Sequence, residues 1–116
     1  MEKIRSVIAY ENYFEDFLEQ QTPRVQDKIL QVLRILEMVE VIPRQYLKRI
    51  EGTRGLYEIR IPFNGNSFRV FCFFDSGKMI ILLGGFQKKS SKTPRREIDR
   101  NNRLMNKYFT EKVSGQ

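Results

Sequence analysis

The sequence contains no histidine, no tryptophan and only one cysteine among its 116 residues. Without histidine it lacks the side chain that enzymes most often use as a general acid or base near neutral pH. The single Cys72 excludes an internal disulfide, and no Cys or His spacing typical of a metal site is present. Cys72 lies in the aromatic segment RVFCFF, where we expect a small buried side chain and not a reactive thiol.

Long hydrophobic runs are absent as well. No uninterrupted apolar run exceeds five residues, as in MIILL at 79–83, so no segment is predicted to cross a membrane as a helix. The N-terminal residues MEKIRSVIAYENYF have neither the hydrophobic stretch of a signal peptide nor the acid-poor composition of a transit peptide. We therefore expect a cytoplasmic protein without a membrane partner. Its length and 41% hydrophobic content predict one folded domain over residues 1–116.

Negative charge is scarce in the later part of the chain. Residues 1–43 hold five Lys or Arg and eight Asp or Glu, a balance of −3, whereas residues 44–116 hold sixteen and six, a balance of +10. The two parts sum to the net charge of +7. Any one charge run can be a solvated surface, but this asymmetry within a small domain favours one surface that binds a polyanion such as nucleic acid.

The acidic first part of the chain has the spacing of one strand and two helices. Residues 3–10 alternate weakly and predict a short strand, and residues 11–21 place four apolar side chains on one helical face. Thr22 is the predicted N-cap of the next helix, with Pro23 at its first position, where a missing N–H costs nothing. Apolar residues continue at helical spacing, so this helix should end before Pro43.

The basic later part has the pattern of three strands and a helix. The segments LYEIRIPF, SFRVFCFFD and KMIILLGGF are rich in aromatic and β-branched residues, and NGN and SG between them are turn signals. Thr93-Pro94 repeats the cap-and-proline start and opens a last helix that should reach about Lys112. The order β-α-α-β-β-β-α predicts an α+β fold, with a small antiparallel sheet packed on an N-terminal helical hairpin and a C-terminal helix.

The first turn predicts which strand residues face each other. If Asn64-Gly65 forms a two-residue turn, Arg60 lies opposite Arg69, and the apolar residues of both strands fall on one face. Glu58 then shares the face of the two arginines. A three-residue loop would instead put the two arginines on opposite faces.

The second hairpin is predicted from the SG turn at 76–77. Two turn residues would pair Asp75 with Lys78 and would place Arg69 opposite Gly84, which has no side chain to cover it. The residues that follow on that face would then project beside Arg69.

Several side chains should therefore converge at one end of the sheet, namely Arg60, Arg69, Phe86 and Lys88 or Lys89. Two guanidiniums can bind one phosphate, and an aromatic ring can stack on a base. Each residue also has an ordinary structural alternative, such as an ion pair with Glu58 or a place in the core. The loop GGFQKKSSKTPRR, with five positive charges and no negative one, adjoins this end of the sheet and favours a phosphate-binding site.

The last helix carries a second basic feature. Arg96, Arg100, Arg103 and Lys107 follow a spacing of four, three and four, which places them along one side. Ile98, Met105 and Phe109 lie on the other side and can anchor the helix. We treat this stripe, with Lys92 and Arg95 of the preceding loop and with Phe86, as candidate RNA or ribosome contacts; a solvated face is the alternative.

The segment LYEIRIPFNGNSFRVFCFFDSGKMIILLGGFQKKSSKTPRREID resembles the RelE/ParE superfamily of bacterial toxins, in particular its HigB-like, phage-derived branch. The patterns YE-x-R-I, FRVFCFFD-x-GK and LLGGFQKKS-x-KTP are typical of that branch. The resemblance covers nearly the whole chain and is strongest over residues 56–99. It implies a small antiparallel sheet on two N-terminal helices, which agrees with the fold predicted from the pattern.

The resemblance implies the toxin of a type II toxin–antitoxin pair. Such toxins are ribosome-dependent mRNA endonucleases, held inactive by a helix-turn-helix antitoxin encoded beside them. Arg60 and Arg69 match the strand arginines of the family, and Lys88 and Lys89 match the basic pair after the last strand. Some relatives also have a catalytic histidine near the C-terminal end, which this chain lacks.

The implied chemistry is attack by the RNA 2′-OH, which needs alignment and charge stabilisation from the protein. We expect no metal and no cofactor. Glu58 is a candidate general base, although an ion pair with Arg60 is the favoured interpretation, and a lysine with a lowered pKa could serve as acid or base. Two alternatives are a ParE-type toxin that acts on DNA gyrase and a non-catalytic nucleic-acid-binding module.

Overall fold

Three helices and one five-stranded sheet make up the structure, a computed structural model that describes residues 2–115. The elements follow in the order β1 Ser6–Ala9, α1 Tyr13–Glu19, α2 Pro23–Met38, β2 Leu47–Arg49, β3 Tyr57–Phe63, β4 Asn66–Asp75, β5 Met79–Lys88 and α3 Arg95–Ser114. The α+β class is confirmed, and every predicted helix and strand is present. The structure adds β2, whose three residues are too few to show a strand pattern. No helix described between residues 2 and 115 is both long and apolar enough to span a membrane.

The strands of the sheet lie in the order β1-β5-β4-β3-β2. Strands β3, β4 and β5 form the predicted antiparallel meander, and β2 pairs antiparallel with β3. β1 pairs parallel with β5, so the sheet is mixed at this edge, where the sequence pattern predicted antiparallel pairing alone. Parallel pairing needs a long connection, and the chain between these two strands contains both N-terminal helices and the other strands.

Each face of the sheet has its own hydrophobic core. The hairpin face, which packs on α1 and α2, contains among others Phe17, Ile29, Ile59, Val70, Cys72 and Leu82. The α3 face contains Phe71, Phe73, Ile81 and Leu83, which pack with Met105 of α3. Burial raises the pKa of the Cys72 thiol, which fits the predicted role of a small buried side chain.

The boundaries of α2 agree with the sequence pattern. The Thr22 hydroxyl oxygen accepts a hydrogen bond from the Val25 amide at 3.4 Å, and Pro23 begins the helix. The helix ends at Met38, ahead of Pro43. The cap and the proline therefore define the start of α2 as expected.

The β3–β4 hairpin has the predicted register. Asn64 and Gly65 have φ angles of 49° and 78°, as a two-residue type I′ turn requires. Arg60 lies opposite Arg69, and the apolar partners fall on the hairpin face. The turn sequence therefore determines the position of both arginines.

The β4–β5 hairpin differs from the prediction. Asp75 pairs with Met79 and not with Lys78, so the turn has three residues. Farther along, β5 has two residues opposite the single Phe71, a β-bulge that shifts the register again. Arg69 therefore lies opposite Phe86 and not opposite Gly84 as predicted.

The two register shifts cancel in their effect on the faces of β5. A shift of one residue moves every side chain to the other face, so the longer turn alone would direct Phe86 and Lys88 away from Arg69. The bulge shifts the pairing by a second residue and returns both side chains to the face of Arg69. The predicted convergence is thus present, although the predicted partner of Arg69 was wrong.

Glycines at the bulge let both helix layers approach β5. A Cβ atom on Gly85 would lie 2.6 Å from the ring of Phe17 in α1, so a larger residue would displace that helix. On the other side, the Gly84 amide donates a hydrogen bond of 2.9 Å to Oδ1 of the buried Asn101 in α3. Asn101 therefore satisfies a backbone amide that has no partner in the strand pairing.

Candidate functional site

The α3 face continues past the residues that pack on α3 and carries a group of charged side chains there. Pairing across the strands places Lys48 opposite Glu58, Arg60 opposite Arg69, and Lys88 at the end of β5 in the next row. Alternation along each strand puts all five on one face. We call Lys48, Glu58, Arg60, Arg69 and Lys88 the cationic site. Lys48 was not predicted, because β2 gives no pattern from which its position could be inferred.

Glu58 lies between the two arginines and is almost fully buried. One carboxylate oxygen, Oε1, is 3.4 Å from Nε of Arg69 and 3.8 Å from Nε of Arg60. Within residues 2–115, neither Nε atom has a hydrogen-bond partner. The carboxylate therefore offsets the repulsion of the two arginines through its charge and not through aligned hydrogen bonds. This position favours the ion-pair interpretation of Glu58.

Arg69 occupies the centre of the site, and its side chain is 10% exposed, whereas that of Arg60 is 30% exposed. Burial lowers the pKa of the Arg69 guanidinium; Glu58 acts in the opposite direction, and Arg60 lowers the pKa further. The Arg69 guanidinium stays charged all the same, because it is too strong a base to lose its proton in a protein. The two arginines therefore hold positive charge close together on a part of the sheet that is largely shielded from water.

Lys88 shares the field of both arginines. Burial is the largest cause that lowers the pKa of its ammonium, and the charges of Arg69, Arg60 and Lys48 lower it further, against the influence of Glu58. Lys88 can therefore release a proton more readily than an exposed lysine. Lys89, which the sequence grouped with Lys88, lies past the end of β5 and is exposed.

Thr93 has a different role from the predicted one. The sequence predicted that it caps the last helix, but α3 starts at Arg95 with Pro94 at the N-cap position and no side-chain cap. The Thr93 hydroxyl instead donates a hydrogen bond of 2.8 Å to Oε2 of Glu58. An N-cap hydroxyl accepts from helix N–H groups, but Pro94 occupies the N-cap position, and the Thr93 hydroxyl is used as a donor to the buried carboxylate.

Phe86 lies opposite Arg69 and is partly buried. Its ring stacks on Phe71 with 5.7 Å between the ring centroids and 21° between the planes, and it packs against the core of the α3 face. One side of the ring is thus occupied by the protein. The predicted contact with an RNA base stays a prediction.

The basic stripe on α3 is only partly free of protein partners. Arg96, Arg100 and Arg103 are exposed, as is Lys92 in the loop. Lys107 pairs with Glu11 at 3.4 Å, and Arg95 pairs with Asp99 at 3.1 Å. Met105 is buried and Ile98 is partly buried, as predicted for anchoring positions, whereas Phe109 is 39% exposed although its ring contacts Phe73.

The charged groups do not form a metal site. Among residues 2–115 there is no group of three His, Cys, Asp or Glu side chains that could hold an ion. A cavity of about 650 Å³ lies elsewhere, against the C-terminal half of α3 beside Met105 and Phe109. The cationic site is instead a surface on strand residues, a shape suited to a chain-like ligand with negative charge.

Residues 16–106 match the family model described as phage derived protein Gp49-like (DUF891). The chain belongs to this family. In a comparison of structures, the chain is similar to RelE in the crystal structure of the archaeal RelE–RelB complex from Pyrococcus horikoshii OT3, with a TM-score of 0.56 and 21% identity over 75% of this chain and 98% of that chain. A comparison with curated proteins found no match.

The Gp49-like match includes the whole cationic site, from Lys48 to Lys88, together with Thr93. It leaves out β1 and the last turns of α3. The structural similarity adds that the fold is RelE-like. The phage-derived family and the RelE-like fold that the resemblance implies are thereby confirmed.

Proposed function

We propose that this protein is the toxin of a type II toxin–antitoxin pair and cleaves mRNA on the ribosome. The observation that carries the proposal is the cationic site: two arginines held side by side by a buried Glu58, with Lys88 next to them. Glu58 offsets only one of the positive charges of Lys48, Arg60, Arg69 and Lys88, so the site keeps an excess of positive charge that favours a ligand with concentrated negative charge. A scissile phosphate has this property.

The chemistry can proceed without a nucleophile from the protein. The 2′-oxygen of RNA attacks the adjacent phosphorus, and the bond from phosphorus to the 5′-oxygen breaks, which leaves a cyclic phosphate and a 5′-hydroxyl. Arg60 and Arg69 would stabilise the additional negative charge of the transition state. Lys88, whose pKa is lowered, would carry out one of the two proton transfers, either to the leaving 5′-oxygen or from the 2′-hydroxyl, and a solvent water would carry out the other. No step requires a metal or a cofactor.

Glu58 fits the role of general base poorly. It is 2% exposed, it lies between two guanidiniums, and its other oxygen accepts the hydrogen bond from Thr93. A general base must come within hydrogen-bond reach of the proton that it removes. We therefore assign the acid–base role to lysine and the role of a fixed counter-charge to Glu58.

Binding partners follow from the same charges. The exposed arginines of α3 would contact ribosomal RNA, which would bring the message to the cationic site. RelE in the archaeal structure is held in a complex with RelB, and we propose a helix-turn-helix antitoxin for this protein as well. An acidic or apolar segment of that antitoxin would cover the basic surface or the helical hairpin. These partners imply action in the cytoplasm.

Induction of the protein alone in a bacterial cell tests the proposal. We expect growth arrest with intact DNA and with new ends in messages, mapped by sequencing of RNA 5′-ends. Induction of Lys88→Ala provides the comparison, because it should slow the appearance of those ends. Double-strand breaks in DNA with intact messages would point to a gyrase-directed toxin. Growth arrest with neither lesion would point to a non-catalytic nucleic-acid-binding module.

A further inference from the structure

The start of α3 lacks a stabilising contact that its sequence could provide. Thr93 is a good N-cap residue and stands next to Pro94, but its hydroxyl makes no bond to the helix. A side-chain cap typically stabilises a helix by about 1 kcal/mol. The hydroxyl is used elsewhere, and violations of a local rule tend to occur at functional sites.

The acceptor of this hydroxyl is the buried carboxylate of the cationic site. Thr93 gives the only side-chain hydrogen bond that Glu58 accepts within residues 2–115, at 2.8 Å to Oε2. This bond leaves Oε1 directed at the Nε atoms of Arg69 and Arg60. The orientation of the carboxylate, and with it the balance of charge between the arginines, therefore depends on Thr93.

The same hydrogen bond anchors the loop of residues 89–94, which we call the basic loop because it contains Lys89 and Lys92. The chain leaves β5 at Lys88, and α3 begins at Arg95, so Thr93 is the point where the intervening loop is tied back to β3. Inside the loop, the Ser90 hydroxyl donates to the carbonyl oxygen of Lys92 at 2.8 Å. Among the hydrogen bonds of residues 2–115, this is the one that ties residues 89–94 to the sheet.

We propose that Thr93 is a positioning residue: its hydroxyl fixes Glu58 between Arg60 and Arg69 and holds the basic loop against the cationic site. This inference rests on the proposed function and deepens it, because it names a residue that acts through Glu58 and not on RNA. A group that orients charges for the transition state changes the rate of cleavage more than the affinity for the message.

Four purified variants test the proposal through single-turnover cleavage of a message on ribosomes, each with its melting temperature. Thr93→Val keeps the shape and removes the donor, and we expect cleavage to slow about tenfold with little change in the half-saturating concentration. Thr93→Ser keeps the donor and should retain a rate close to wild type. Ser91→Ala, an exposed hydroxyl in the same loop, is the matched control and should also retain it.

Thr93→Asp separates the two roles of this position. Aspartate is among the best N-cap residues, so a role at the helix start predicts an unchanged or higher rate and melting temperature. A role at Glu58 predicts a loss of rate, because two carboxylates would face each other. It also predicts partial recovery at lower pH, where one of them takes up a proton and can donate a hydrogen bond.

Wild-type cleavage by Thr93→Val, or equal losses in Thr93→Val and Thr93→Ser, would overturn the role of Thr93 and leave the proposed function intact. Absence of cleavage by the wild-type protein would overturn the proposed function. Thr93 is then judged by amide hydrogen exchange in the loop of residues 89–94, where faster exchange in Thr93→Val than in Thr93→Ser and wild type supports its tie to Glu58, and equal exchange in all three overturns it.

Discussion

Arg60 and Arg69 face each other across two strands, where like charges are destabilising. Glu58 is the counter-charge that makes this pair tolerable, and it is buried together with Arg69. Removal of one partner from a buried ion pair typically costs about 3–5 kcal/mol, because the remaining charge stays dehydrated. The site is therefore a set of interdependent charges, and substitution of Glu58 would disturb folding as well as function.

A second buried carboxylate, Asp75, has a structural role at the residue scale. Lys112 donates to both of its oxygens at 2.9 and 2.8 Å, and the Tyr108 hydroxyl donates at 2.6 Å. The hydrogen bond from Lys112, followed by that from Tyr108, lowers the pKa of Asp75 against the effect of burial. The ionised carboxylate thus fastens the C-terminal part of α3 to the end of β4.

The lowered pKa predicts a pH-dependent contribution to stability. Asp75 stabilises the fold above its unfolded pKa of about 3.9, and this contribution is lost as the pH falls through the lower folded pKa. Asp75→Asn should therefore reduce the melting temperature clearly at pH 7 and much less at pH 3. Asp27→Asn, which changes an exposed carboxylate on α2, is the control. An equal reduction at both pH values for Asp75→Asn would contradict the role of its charge.

At the scale of elements, the bulge in β5 determines which side chains reach the cationic site. It is supported from α3 by Asn101, which accepts from the Gly84 amide and donates to the carbonyl oxygen of Glu97 at 2.9 Å. The neighbouring Asn102 has a buried Oδ1 atom with no hydrogen-bond partner among residues 2–115. Two adjacent asparagines thus differ in whether their oxygen is satisfied.

This difference predicts opposite outcomes for the two alanine substitutions. Asn101→Ala leaves the partly buried Gly84 amide without its acceptor, which should lower the free energy of unfolding by about 1–3 kcal/mol. Asn102→Ala removes an unsatisfied acceptor and should leave stability unchanged or raise it. Chemical denaturation of both variants checks the prediction. Similar losses for the two would show that Asn101 does not support the bulge.

The elements also show how far the sequence predicts the fold. The register of β3 and β4 follows from Asn64-Gly65, because a two-residue turn fixes every pair beyond it. The β4–β5 register could not be predicted, since it depends on a bulge whose amide is satisfied by Asn101 in a distant helix. Lys48 and Thr93 were missed for the same reason: their roles arise from tertiary contacts and not from local patterns.

At the scale of the whole molecule, the charge asymmetry of the sequence becomes an asymmetry of surfaces. The acidic first part of the chain forms β1 and the two helices on the hairpin face. The basic later part forms the other strands and α3, which carry the cationic site and the exposed arginines. A surface of one sign draws polyanions toward it and orients them, so RNA would approach the α3 face.

The central claim is that the cationic site cleaves RNA, and one comparison tests it most directly. Purified Arg69→Ala and Arg34→Ala are assayed for message cleavage on ribosomes, and their melting temperatures are measured in parallel. Both variants lose one positive charge, but Arg34 is exposed on α2 and pairs with Glu37 outside the site. Arg69→Ala should lose about a hundredfold in rate, equivalent to the loss of one transition-state contact of ~3 kcal/mol. It should remain folded at the assay temperature, because Arg60 stays beside Glu58 as its counter-charge. Arg34→Ala should cleave at close to the wild-type rate. Wild-type cleavage by folded Arg69→Ala, or an equal loss in both variants, would contradict the account.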